Sequence, residues 1–175
     1  MRLFHVSEEP DIAVFEPRIP TRADLGRDVG LVWAIDEARL PNYLTPRNCP
    51  RVAYHLGDGT TGQDRHRFFT SASARHALVI EGGWLDRLRE TTLYVYEFDP
   101  AGFTLQDATA GYYVATATQR PRAKQRMDDL LGELVRRGVE IRITDRLWDI
   151  AEAVQGSTLN WSLIRMSFAR PRGES

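Results

Sequence analysis

The sequence of 175 residues predicts an α+β fold, with mixed and antiparallel sheets flanked by helices. Three observations lead there. Runs of strand length outnumber patterns of helical length. The regular strand–helix–strand alternation of a doubly wound parallel sheet is missing. Hydrophobic residues make up 42% and charged residues 27%, a balance able to bury an ordinary globular core. No repeat, low-complexity tract or linker interrupts the chain, so residues 1–175 are read as one domain.

The elements follow in order. Leu3-Phe4-His5-Val6 reads as a strand, ended by Ser7, two acids and Pro10. Residues 21–30 are polar with two glycines and read as a loop beside a possible site, able to act as a flap or a plain connector. Leu31-Val32-Trp33-Ala34-Ile35 is continuously apolar, the mark of a strand buried on both faces. Asp36 is placed to cap a helical turn over 37–40 that Pro41 stops. Residues 51–55 return to strand, and 64–70 form a short helix that turns Phe68 and Phe69 inward. Ala77-Leu78-Val79-Ile80 is the next strand, followed by Gly82-Gly83 and a short helix over 84–88. Leu93-Tyr94-Val95-Tyr96-Glu97-Phe98 carries the aromatic and branched types that favour sheets. Asp99-Pro100-Ala101-Gly102 makes a turn after it.

Gly111-Tyr112-Tyr113-Val114 reads as a further strand within a mixed stretch. Residues 125–137 are predicted to be the clearest helix, because Met127, Leu130, Leu131, Leu134 and Val135 recur at helical spacing before Gly138. Val139, Ile141 and Ile143 alternate with Glu140 and Arg142, giving a half-buried strand. Asp145 should cap a helix that runs through Val154 and ends at Gly156. Residues 159–164 form a last packed segment.

Charge and cysteine content exclude several classes. A formal net charge of −1 leaves no basic surplus for general nucleic-acid binding. The basic run Arg120-Pro-Arg-Ala-Lys-Gln-Arg126 reads as a solvated lead into the helix. The single cysteine, Cys49, allows no internal disulfide and reads as a small buried hydrophobe. No leader or membrane-length apolar run is seen, so a cytoplasmic location without membrane contact is expected. No glycine-rich phosphate loop, cysteine pair or metal-spaced histidine pair appears, so no metal is expected. His66 and His76 lack a carboxylate spaced to orient them, and His55 is a strand-end histidine of mainly structural character.

What remains is an ordered pattern. A strand delivers His5 and Ser7, a later strand presents Trp33, and a third leads through Asp99-Pro100-Ala101-Gly102 to Gln106 and Asp107. This order resembles the ADP-ribosyltransferase-like domains, most closely the small group that modifies rifamycin antibiotics. Leu3-Phe4-His5-Val6-Ser7 matches that group's histidine strand, with Val6 where glycine is usual. Val32-Trp33-Ala34-Ile35 matches its aromatic strand, with tryptophan for tyrosine. Glu97-Phe98-Asp99-Pro100-Ala101-Gly102 through Asp107 matches the segment before its functional acid.

The resemblance implies a split sandwich of two sheets that binds NAD and transfers ADP-ribose to an acceptor. His5 would hydrogen-bond the ribose, Trp33 would pack on the nicotinamide, and Asp107 would stabilise the developing cation, with Asp99 and Glu97 as rival acids. Ser7 and Arg51 would help hold the cofactor, and Arg2 or Arg47 could join Arg51 on the pyrophosphate. The chemistry is compatible, since a pyridinium leaving group needs only one nearby carboxylate and an aromatic face. The alternatives are a ligand- or nucleotide-binding module on the same scaffold, or a nucleic-acid end-processing enzyme. The latter requires Arg47, Arg51, Arg65 and Arg67 to cluster. The segments His-Val-Ser-Glu-Glu-Pro, Val-Trp-Ala-Ile-Asp-Glu and Thr-Leu-Asn-Trp-Ser-Leu also resemble an uncharacterised bacterial family with no assigned function.

Overall fold

A computed structural model describes residues 1–19 and 29–173. The fold is α+β, with ten strands in two sheets and four α-helices among the described residues. All but the last two residues of the 21–30 loop lie outside those described. The chain forms two compact units, the first from Met1–Tyr43 with Thr92–Met127, the second from Leu44–Thr91 with Asp128–Ser175.

The first unit holds six antiparallel strands, β1 (Leu3–Ser7), β2 (Val32–Asp36), β5 (Leu93–Phe98), β6 (Thr104–Asp107), β7 (Tyr112–Ala115) and β8 (Ala123–Met127). Their order across the sheet is β6-β7-β2-β1-β5-β8. Successive side chains on a strand alternate between faces, and β1, β2, β5 and β7 keep that rule. Leu3, Val32, Ala34, Tyr96, Phe98 and Ala115 meet on one face, where Phe15 packs over them. The Phe15 ring sits edge-on to both Tyr96 and Phe98, at 5.3 and 5.0 Å, an arrangement aromatic quadrupoles favour.

The second unit holds β3 (Arg51–His55), β4 (His76–Glu81), β9 (Val139–Thr144) and β10 (Asn160–Ile164) in the order β10-β3-β4-β9, with β4 and β9 parallel. Both inner strands are buried along almost their whole length. Val52, Tyr54, Ala77 and Val79 share one face with Phe68, Phe69, Leu147, Ala151 and Val154. Thr61 Oγ1 accepts from Asp64 N at 3.2 Å and so opens α1 (Gly62–Phe68). The others are α2 (Leu85–Glu90), α3 (Leu130–Arg136) and α4 (Trp148–Gln155).

Three expectations are corrected. The helix expected over 125–137 is two elements. Residues up to Met127 form the edge strand β8, and the helix begins only after Asp129, whose carboxylate accepts from Gly132 N at 2.8 Å. Residues 123–127 are all good helix formers, but intrinsic propensity is a small term that the ladder offered by β5 overrides. Gly138 does stand just past this helix, at φ +71°. Asp145 does not cap α4, whose N-cap is Leu147 two residues on; its carboxylate instead accepts from Thr144 Oγ1 at 3.4 Å. Pro41 does not stop the turn after Asp36 but lies inside a 3₁₀ turn over Leu40–Tyr43, where a missing N–H costs nothing.

Candidate functional site

The strand pattern that singled out His5 and Trp33 places both on the first sheet, as neighbours in β1 and β2. The ladder then separates their side chains. Leu3 and His5 stand on the face covered by Phe15, because His5 lies opposite Tyr96. Trp33 lies between Val32 and Ala34, which belong to that face, so its ring stands on the other. The two residues meet only through the backbone, His5 Nδ1 lying 3.2 Å from the Trp33 carbonyl. A carbonyl can only accept, so Nδ1 carries a proton and donates to it. Burial pushes the imidazole below its ordinary value, against the opposing pull of the Trp33 bond. Phe15 packs on the ring at a centroid distance of 4.8 Å. Ser7 Oγ accepts from Glu9 N at 3.0 Å and closes the turn that ends β1.

Trp33 has a different set of companions. Its half-buried ring meets Tyr112 edge-to-face at 5.4 Å, and Tyr43 approaches Tyr112 at 6.1 Å with their hydroxyls hydrogen-bonded. Asp107 is the ladder partner of Tyr112. The structure therefore brings Trp33 and Asp107 to a shared neighbour and leaves His5 on the opposite face. The loop between them is tightly built. Gly111 has φ +68°, and a Cβ there would come within 2.5 Å of Arg39 Cγ. Arg39 Nε donates to Thr109 O at 2.9 Å, and Asp36 Oδ1 accepts from Arg39 N at 2.8 Å. Tyr43, Tyr112 and Arg39 were not singled out by sequence. The doublet Tyr112-Tyr113 after a glycine was the available signal.

The candidate acids are all engaged. Asp107 Oδ1 accepts from Thr109 N at 2.9 Å and Ala110 N at 3.0 Å. Asp99 Oδ1 accepts from Ala101 N at 2.9 Å, setting the turn read from the sequence. Glu97 lies between two guanidiniums, bonded to Arg2 at 2.8 Å and to Arg122. Those hydrogen bonds hold its carboxyl down at about 2. Arg2 is thus paired with Glu97 and Glu37.

Arg51, Arg65 and Arg67, considered for phosphate or nucleic acid, each have a local partner. Arg51 belongs to the second unit, is buried, and donates from Nη1 to the Cys49 carbonyl at 2.8 Å. Arg65 donates to Ala72 O, and Arg67 lies over the Phe68 ring at 5.1 Å. Cys49 is buried, and burial pushes its thiol up to about 11, the behaviour of a packed hydrophobe. His55 lies directly across from His76, with ring centroids 5.8 Å apart.

On the His5 face, Pro10, Asp11, Ile12 and Ala13 form a strap across the sheet. Tyr96 hydroxyl donates to Glu9 O at 2.5 Å and accepts from Ile12 N at 3.2 Å, and Lys124 Nζ donates to Pro10 O at 2.6 Å. An open groove of about 340 Å³ lies between this strap, Tyr96 and residues 121–124.

Residues 4–169 match the Family of unknown function (DUF6886). The chain belongs to that family. No curated protein and no solved structure matches the chain significantly. No described helix is long and apolar enough to cross a membrane.

Proposed function

We propose that this member of the family is a binding module for a flat aromatic or nucleotide ligand of the NAD class, received on the first sheet. The observation that carries this reading is the Trp33–Tyr112 pair, two half-buried rings held edge-to-face and braced by Tyr43. Such rings offer stacking surface and attract a pyridinium charge. Recognition rather than transfer is favoured because His5 stands on the other face, and because Glu97, Asp99 and Asp107 are each committed to a turn or an ion pair.

Calorimetry with NAD, ADP-ribose and nicotinamide tests the proposal, with Trp33 fluorescence as a second readout. NAD is expected to bind, Trp33→Ala to abolish the heat, and nicotinamide not to be released. No heat with any of the three compounds would overturn it. ADP-ribosyl transfer to an acceptor is the second reading, favoured by the shared neighbour Tyr112 that brings Asp107 beside Trp33. It requires nicotinamide release that Asp107→Asn suppresses while NAD binding survives.

A further inference from the structure

The basic run Arg120-Pro-Arg-Ala-Lys-Gln-Arg126 has no part in that site. It does not lead into a helix; its second half is β8, the edge strand of the six-stranded sheet. Four of the five β8 residues are exposed, and among the described residues only β5 pairs with it. An edge strand directs alternate N–H and C=O groups outward, ready to pair with another extended chain. Alternation puts Lys124 and Arg126 on one face, opposite Tyr96 and Tyr94. The groove beneath the 10–13 strap opens at the start of this strand. Its apolar lining is Pro10, Ile12, Ala13, Pro121, Ala123 and the Tyr96 ring, and its charged groups are Arg122, Lys124 and the single acid Asp11.

We propose that β8 and this groove dock an extended acidic peptide segment of a partner protein. The segment adds a strand at the edge, places acids against Lys124 and Arg126, and seats one apolar side chain in the groove. This is strand addition, in which backbone bonds supply affinity and side-chain pockets supply choice. Charge selects the occupant. A second copy pairing edge to edge would set the cations of β8 against each other, which is repulsive. A single-stranded nucleic acid would want open rings to stack on, and the Lys124 ammonium already lies over Tyr94 at 5.6 Å. The Asp11 carboxylate, 3.4 Å from Lys124 Nζ, marks where a partner's carboxylate would compete.

The test is fluorescence anisotropy of the full chain with a labelled peptide alternating Glu and Val around one central Leu. Three controls accompany it: the Lys-for-Glu peptide, a peptide of equal charge with alternate prolines, and a single-stranded oligonucleotide. Binding of the acidic peptide alone is expected, weakening with added salt and falling by about tenfold in Lys124→Glu/Arg126→Glu. Backbone amide shifts confined to β8 and the strap should accompany it. If the double variant fails to fold, Lys124→Gln is used, with a smaller loss expected. Equal binding of the proline peptide, tighter binding of the oligonucleotide, or no binding up to millimolar peptide overturns the proposal.

Discussion

The two sheets are built on opposite plans. In the second unit, β3 and β4 bury both faces, and Tyr54, Leu78 and Ile80 are wholly excluded from solvent. In the first unit, β1 leaves His5, Val6 and Ser7 half-buried, and β2, β5 and β7 likewise leave Trp33, Tyr94 and Tyr112 half-buried. A strand buried on both sides has no side chain to offer a ligand. A sheet with half-exposed aromatic and polar groups does. Both sheets carry buried core, and the half-exposed groups on which the proposed binding rests belong to the first.

The sharpest way to break that division is to cut a hole in the second sheet. Leu78→Ala should cost about 3 kcal/mol, because a fully buried leucine loses both its transfer energy and its packing. Urea denaturation would measure this, and ligand binding by surviving folded protein should be unchanged. If binding fell in parallel, the two units could not be treated as separate in role.

A smaller effect is expected in the first sheet. Tyr96→Phe removes the hydroxyl that clips the 9–12 segment at both Glu9 O and Ile12 N. A loss of about 1–2 kcal/mol is expected. Hydrogen exchange should quicken at Ile12 while β3 and β4 amides keep their protection.

In the second unit, Asp129→Ala should cost about 1 kcal/mol by removing the cap on Gly132 N. The loss should appear as fraying of α3, read by exchange at residues 132–134.

The smallest effects are pH slopes, and they arise in the first unit. His5 titrates below its ordinary value in the folded chain, so the unfolded chain binds the proton first as pH falls through about 6.5. Stability should therefore be full above that pH and decline below it, and His5→Asn should flatten the slope. Glu97 has its carboxyl held at about 2, so its contribution is full above about 4.5 and is lost as pH falls toward 2. Glu97→Gln should remove that step. An unchanged acid limb in that variant would mean that the Arg2 and Arg122 pairs add nothing to stability, as exposed pairs often do.

Much of the architecture was legible because strands announce themselves locally. The runs at Leu93–Phe98 and Arg51–His55 became strands with the expected bounds, as did the alternation beginning at Val139. Thr104–Asp107 went unread as a strand, since three of its four side chains are exposed and no apolar period marks it. Residues 123–127 went unread for a related reason. Their strand state depends on β5, which lies some thirty residues earlier in the chain.

The candidate site divides along the same line. Sequence alone determined that His5 and Trp33 lie on strands, since apolar runs are local signals, whereas the strand that ends at Asp107 went unread. Only the tertiary structure decided which way they face. A strand's two faces are equivalent until a ladder and a packed core choose between them, and a one-residue change of register would exchange them. The core chose Leu3, Val32 and Ala34 for one side. That choice sent His5 to Phe15 and Trp33 to Tyr112, and it made the two residues neighbours through a backbone carbonyl rather than across a shared cleft.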